Sequence, residues 1–287
     1  MNTDCAFYIG TTHDICQDYA LAGKNSIAVS DGCSGSPRSD IGSRVLSITA
    51  MNKMAELDSL ISFDEKECIL LARPTIKMLN IPNECLDATL LSAKVYDNEV
   101  MAMCCGDGVI VIKIKNGNII IINCEYSDNY PFYMNYLYDQ TNRYLDWTTN
   151  HNKRNISQTI LNTNREWLAT VPVKTDVERI EKDLGLIRLS ENRAIVEIIN
   201  KNDIEYVAIM SDGIHSFYET IKTETSKYNR SISYLEVLKD LLSFKNFNTH
   251  FVQRRMNKFR KDCAKKGWAN SDDMSLAVIH IGENKNG

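Results

Sequence analysis

No stretch of this chain is apolar for long enough to cross a bilayer, and its beginning lacks the basic and apolar regions of a signal peptide. The expectation is a cytoplasmic protein with no membrane contact. A basic excess is missing too. Lys and Arg number 33 against 37 Asp and Glu, for a net charge of −4. That balance argues against an obligate nucleic-acid binder. The nine cysteines are scattered, odd in number and without a Cys-x-x-Cys pair. They read as mostly buried, reduced thiols. No internal repeat is visible, so residues 1–287 are expected to form one domain. The length is enough to bury a real core.

What the chain does contain is a recurring strand end. Ser26-Ile27-Ala28-Val29 is an apolar run that reads as a buried strand, and it leads into Ser30-Asp31-Gly32. Asp31 stands at a rigid edge, and Gly32 allows close backbone approach. A near-copy follows downstream, where Tyr206 to Met210 ends in Ser211-Asp212-Gly213. Asp107, between Gly106 and Gly108, ends a third apolar run, and Asp272-Asp273 precedes a fourth, Met274 to Ile279. Each Asp-Gly alone is an ordinary turn. Carboxylates presented alike from distant strands can converge on one cation, and Mg²⁺ or Mn²⁺ prefers such oxygen ligands.

The intervening segments set the fold class. A first strand is read at 5–9, followed by a polar loop carrying His13, Asp14, Gln17 and Asp18. His13 reads equally as a loop histidine satisfied by the backbone or as a functional group, and Asp14 and Asp18 as solvated or functional. Ser39 or Asp40 is the expected N-cap of a helix running to about Leu60, with Ile41, Val45, Ile48 and Leu57 as its apolar face. A second helix is expected from Asp64 to Leu79, kinked or broken at Pro74. Strands at 88–96, 99–105, 109–114 and 118–123 follow, with Asn116-Gly117 as a hairpin turn. This antiparallel meander excludes a doubly wound nucleotide-binding fold and points to α+β.

Residues 125–165 crowd aromatics into an Asn-rich stretch: Tyr126, Tyr130, Phe132, Tyr133, Tyr136, Tyr138, Tyr144 and Trp147. The preferred reading is a connecting insert that packs its rings on the core; a flap that contacts a partner is the sharper one. Strands are expected at 167–173 and 194–199, and helices at 233–244 and 249–266. The Arg- and Lys-rich face of the last helix is taken as solvated.

Together these motifs resemble the metal-dependent serine/threonine phosphatases of the PPM, or type 2C, family, in its microbial branch. The likeness runs in order from Cys16-Gln17-Asp18 through Val29-Ser30-Asp31-Gly32, Ala88-Thr89-Leu90-Leu91, Gly106-Asp107-Gly108 and Ser211-Asp212-Gly213 to Asp272-Asp273-Met274-Ser275. The resemblance implies a four-layer α-β-β-α sandwich, two stacked antiparallel sheets flanked by helices. It implies two Mn²⁺ or Mg²⁺ ions per site, with a weak third. Asp31 would bridge the two metals, the Gly32 carbonyl would ligate one, and Asp212 and Asp272 would complete the other. Asp18 would hold metal-bound water, Asp107 would lie near the third metal, and Asp273 would neighbour the last ligand. The implied reaction is hydrolysis of phosphoserine or phosphothreonine on a protein by a metal-bridging hydroxide. The expected partner is a phosphorylated protein, and the chain is expected to be a monomer.

Four positions depart from the family pattern. Gln17 stands where many members have Glu, and an amide cannot act as a base. Cys33 replaces a histidine proposed as general acid. His13 replaces the phosphate-binding Arg, leaving it as the candidate phosphate contact. Gly108 replaces a Ser. A serine nucleophile fails because Gly-x-Ser-x-Gly breaks at Ser36. A cysteine nucleophile fails because Cys33 lacks an arginine-bearing phosphate loop. The alternative to an active enzyme is a pseudophosphatase or regulatory phosphoprotein-binding module on the same fold.

Overall fold

A computed structural model of the chain describes residues 1–126, 128–138, 143–151, 154–161, 167–172, 178–180, 185–189, 193–198, 200–223 and 226–282. In chain order, its first half holds strands β1 (Asn2–Tyr8), β2 (Asp18–Ala22) and β3 (Ser26–Asp31), then helices α1 (Ser39–Glu56) and α2 (Glu65–Met78). The meander β4 (Leu90–Val95), β5 (Val100–Cys105), β6 (Gly108–Ile114) and β7 (Ile119–Tyr126) follows, then α3 (Arg143–Asp146). Next come β8 (Arg154–Leu161), β9 (Trp167–Pro172), β10 (Glu178–Ile180), β11 (Gly185–Leu189), β12 (Arg193–Ile198) and β13 (Ile204–Met210). The chain closes with β14 (Phe217–Lys222), β15 (Lys227–Ser231), α4 (Tyr234–Leu241), α5 (Phe251–Lys266), β16 (Trp268–Asn270) and β17 (Met274–His280).

The strands form two seven-stranded antiparallel sheets, ordered β1-β17-β13-β6-β7-β8-β9 and β10-β11-β12-β5-β4-β3-β2, with a small sheet β15-β14-β16 beside them. The central strands β4, β5, β6, β13 and β17 are buried on both faces, which is why they read as nearly unbroken apolar runs. Alternation within each strand divides the core. Ile110, Ile112, Val207 and Ile209 face Ile27, Val29 and Leu91 between the sheets. Val109, Val111, Ala208 and Met210 face outward onto α4 and α5, against Leu238, Phe251, Val252 and Phe259. On the far side, Ala28, Leu90, Met101 and Met103 pack against α1 and α2. The order helix, sheet, sheet, helix is the expected four-layer α-β-β-α sandwich. Cys104 faces the inter-sheet core and Cys105 the α1/α2 side, as adjacent strand residues must.

The helix starts and faces differ from expectation in instructive ways. The N-cap of α1 is Arg38, left-handed at φ 56°, and not Ser39 or Asp40. Ser39 is diverted because its hydroxyl accepts a bond from Gln17 Nε2 at 2.8 Å. The buried face of α1 is Gly42, Ser43, Leu46, Ser47, Ala50 and Met54, while Ile48 is exposed. Small residues let this helix sit close on its sheet, and hydrophobicity alone does not reveal that face. Asp64 caps α2 through the Glu67 N–H, as its sequence suggests. Pro74 lies inside α2 without breaking it. The carbonyl it leaves without a helical donor is that of Leu70, which is exposed and open to water.

Of the insert's aromatics, Tyr126, Phe132, Tyr133, Tyr136 and Trp147 pack on the core, while Tyr130 and Tyr138 are exposed. Trp147, Phe132 and Tyr136 are fully buried against the α1/α2 layer, with Phe132 and Trp147 ring centroids 5.1 Å apart. Residues 127, 139–142, 152–153 and 162–165 of the insert lie outside the described residues, as do the Tyr144 side chain, Val173 and Ile199. No helix among the described residues is long and apolar enough to cross a membrane.

Candidate active site

The strand ends that carry acidic residues meet at one end of the sandwich. Asp18 opens β2 and Asp31 closes β3, and the two are direct cross-strand partners. Asp107 sits in the turn between β5 and β6, Asp212 follows β13, and Asp272 precedes β17, whose Leu276 pairs with Met210 at the same end. The Asp31 backbone is fixed by Thr89, whose hydroxyl accepts the Asp31 N–H at 3.2 Å and whose own N–H donates to the Asp31 carbonyl at 2.9 Å. Gly32 is needed for packing: a Cβ there would lie 2.7 Å from the Ser39 carbonyl oxygen. At Gly213 the crowding is greater, since a Cβ would stand 1.7 Å from the Asp273 carbonyl oxygen.

Asp31, Asp107, Asp212 and Asp272 line a cavity of about 460 Å³, together with His13, Gln17, Gly32 and Cys33. Asp18 is buried behind them, accepting the Ser211 hydroxyl at 2.6 Å. The Asp31 carboxyl lies within hydrogen-bonding reach of both Asp212 and Asp18, and burial together with those two charges pushes it well above the usual carboxylate range. Burial raises Asp18 to about 7, against the bonds it receives. Burial and the Asp212 charge raise Asp107 well above its ordinary value and Asp272 to about 6. So many carboxylates withdrawn from water repel one another unless protons or cations intervene.

The donor set fits a divalent cation. Oδ1 of Asp18 and Oδ1 of Asp212 are buried and find no donor among the described residues. Such orphaned carboxylate oxygens are costly in a protein and natural ligands for a hard cation. Among the described residues no three His, Cys, Asp or Glu side chains are grouped so as to hold a metal ion by themselves, so a cation here would also draw on backbone oxygen and water. Gly32, flanking Asp31 in the same cavity wall, offers the nearest backbone carbonyl by sequence.

The remaining candidates have mainly positioning contacts. Asp273 is buried, accepting the Gly10 N–H at 2.8 Å and the Gln17 N–H at 2.6 Å. It thereby pins the 10–17 loop to the end of the sheet. His13 Nδ1 lies 3.0 Å from Asp273 Oδ2 and His13 Nε2 3.6 Å from Asp272 Oδ1. Burial opposes its protonation, but the Asp273 bond and the surrounding carboxylates outweigh burial and raise its pKa. Cys33 lies within hydrogen-bonding reach of the Tyr133 hydroxyl.

The structure also adds residues that were not singled out as site candidates in the sequence. Ser211 bonds Asp18 and accepts the Ser275 N–H at 3.0 Å, joining β13 to β17 at the site. Asp87, Tyr130, Tyr133 and Arg143 line the same cavity. Thr89 lay within the quoted Ala88-Thr89-Leu90-Leu91 motif, which was the available hint.

The sequence pattern of the family described as protein phosphatase 2C matches residues 11–259. The chain belongs to this family. Among solved structures, a bacterial serine phosphatase is similar at 12% identity over 99% of each chain, with a TM-score of 0.54. The serine/threonine phosphatase Stp1 from Staphylococcus aureus is similar at 12% identity, covering 99% of this chain and 96% of that one, with a TM-score of 0.52. At that identity the likeness is one of fold. No curated protein matches the chain. The matched span begins in the loop of His13 and includes Asp18, Asp31, Asp107 and Asp212, and it ends before Asp272.

Proposed function

We propose that this chain is a divalent-cation-dependent phosphatase that hydrolyses phosphoserine and phosphothreonine esters on proteins, with two Mn²⁺ or Mg²⁺ ions and a weakly held third. One observation carries the reading. Four carboxylates from separate strand ends line one cavity with a fifth, Asp18, buried next to Asp31, and two of their buried oxygens have no donor among the described residues. Asp31, central to the cluster, would be shared by the two cations. The Gly32 carbonyl would serve one of them, Asp212 and Asp272 the other. Asp18 would hold bound water from behind, and Asp107 would serve the third ion.

When bound, the cations activate water as the nucleophile and neutralise the phosphoryl oxygens. The chain's own residues then orient and bind. Thr89 and Ser211 fix the Asp31 backbone and the Asp18 carboxylate. Asp273 holds the 10–17 loop against the cavity. Gln17, its amide nitrogen given to Ser39, orients water and takes no proton. His13 has Asp273 Oδ2 3.0 Å from Nδ1 and Asp272 Oδ1 3.6 Å from Nε2, so when protonated it pairs with these carboxylates before it meets phosphate. All nine cysteines are unpaired, which supports a reducing, cytoplasmic setting.

The test is hydrolysis of p-nitrophenyl phosphate and of a phosphoserine peptide with added Mn²⁺. Wild type should turn over both, and Asp31→Ala and Asp212→Ala should lose at least about a hundredfold. A wild type no faster than the two variants at every metal concentration removes the enzyme reading and leaves the phosphoprotein-binding alternative.

A further inference from the structure

We propose that Arg143 is the phosphate-binding cation of this cavity, gripping the substrate's phosphoryl oxygens. The inference rests on the phosphatase reading above and names a residue that its motifs do not contain.

The electrostatics of the cavity call for such a group. Its floor is Asp31, Asp107, Asp212 and Asp272, and a phosphomonoester dianion entering it meets negative charge wherever a cation is not in place. Among the described lining residues, only His13 and Arg143 can carry positive charge. His13 lies between Asp272 and Asp273, with a carboxylate oxygen near each ring nitrogen. Arg143 is the remaining cation, and it comes from the insert and not from the strand ends that carry the carboxylates.

Its guanidinium is held ready for the task. One terminal nitrogen bonds Asp87 Oδ2. Asp87 is buried and receives the Ser36 hydroxyl and the Asn135 amide, each at 2.8 Å. The Asp87 carbonyl accepts the Cys33 N–H at 2.8 Å, which ties the Arg143 mount directly to the Asp31-Gly32-Cys33 loop. The guanidinium also lies over the Tyr136 ring, 4.8 Å from its centroid. A guanidinium has five N–H donors in a rigid fork, so a bond to Asp87 leaves an edge for a second oxyanion. The side chain is partly exposed, 31% by area. It also borders a second, shallower depression of about 540 Å³ lined by Leu145, Asp146, Thr149 and Asn150. Arg143 therefore borders both the catalytic cavity and a neighbouring surface depression.

A bracing ion pair for Asp87 is the competing role, and the experiment separates the two. Arg143→Met alone strands a buried carboxylate and risks unfolding. The double variant Arg143→Met with Asp87→Asn removes the guanidinium without leaving that charge. Mn²⁺-induced stabilisation in thermal melts checks that each variant folds and binds metal. In the folded double variant, KM for a phosphoserine peptide and the inhibition constant of inorganic phosphate should both rise about tenfold or more, with the Mn²⁺ shift retained. Arg143→Lys should recover only part, because a point charge cannot bond two oxygens in a fork. An unchanged phosphate inhibition constant in the double variant overturns the proposal. If wild type hydrolyses no phosphoester, the phosphatase reading fails separately. Stabilisation of Mn²⁺-loaded wild type by inorganic phosphate, lost in the double variant, would then still support Arg143. Its persistence in the double variant, or its absence from wild type, overturns the assignment.

Discussion

At the scale of single residues, the site depends on contacts too close for ordinary side chains. Gly213 follows Asp212 directly, and its Cα stands where an added methyl would lie 1.7 Å from the Asp273 carbonyl oxygen. That oxygen belongs to backbone and cannot rotate away. Gly213→Ala should therefore cost about 3 kcal/mol in urea unfolding and displace Asp212 from the cluster. A midpoint within error of wild type would show that the loop yields freely. The same scale explains what could be foreseen. Asp31, Asp107, Asp212 and Asp272 were legible because each follows or precedes a long apolar run, so a strand end could be assigned from pattern alone. Arg143 was not legible. Its partner Asp87 is 56 residues away, and no periodicity marks the stretch between Tyr126 and Trp147. His13 was legible as a candidate, yet its carboxylate partners 259 and 260 positions on (Asp272 and Asp273) become visible only once the chain is folded.

Among the elements, helix ends show how tertiary contacts replace local signals. The N-cap of α5 is His250, left-handed at φ 58°, with no side-chain cap of its own. Asp4 from β1 fills that role, accepting the Val252 N–H at 2.6 Å and the Gln253 N–H at 3.2 Å. Asp4→Ala should destabilise the fold by about 1–2 kcal/mol in chemical denaturation, the size of a lost N-cap. A loss below about 0.3 kcal/mol would mean that water replaces the carboxylate without cost. The α1 start follows the same logic: Ser39 looked like a cap and instead serves Gln17. Strand positions were more faithful to the sequence, because central strands such as β4, β5, β6, β13 and β17 are buried on both faces and so carry their own apolar runs. The expected face of α1 was right in part: Ile41, Val45 and Leu57 pack against the core, Ile48 is exposed, and the Gly, Ser and Ala positions that bring the helix close carry no hydrophobic signal.

For the molecule as a whole, the two ends of the sandwich behave differently with pH. His280 lies at the end of β17 away from the carboxylate cluster, paired in register with Asn2 and Tyr206. Burial lowers its pKa from 6.5 to about 4, helped by the N-terminal ammonium and Lys115, while its ring stacks on Phe247 at 3.8 Å. The folded state thus holds fewer protons there than the unfolded state between those values. The stability of neutral His280 is complete above pH 6.5 and is lost as pH falls towards 4. Wild type should therefore lose stability relative to His280→Gln across that window, with the gap ceasing to widen below pH 4. Parallel curves for the two proteins would show that the ring titrates alike in the folded and unfolded states.

At the other end, the account comes down to whether the carboxylate cluster is a binuclear cation centre organised by Asp31. The most direct measurement is equilibrium Mn²⁺ binding followed by electron paramagnetic resonance, with wild type and Asp31→Ala compared at the same protein concentration. Binding of two tightly held ions by wild type, with their spin coupling lost and at most one tight ion left in Asp31→Ala, is the predicted result. Wild type that binds no Mn²⁺, or Asp31→Ala that binds two coupled ions as wild type does, would contradict it.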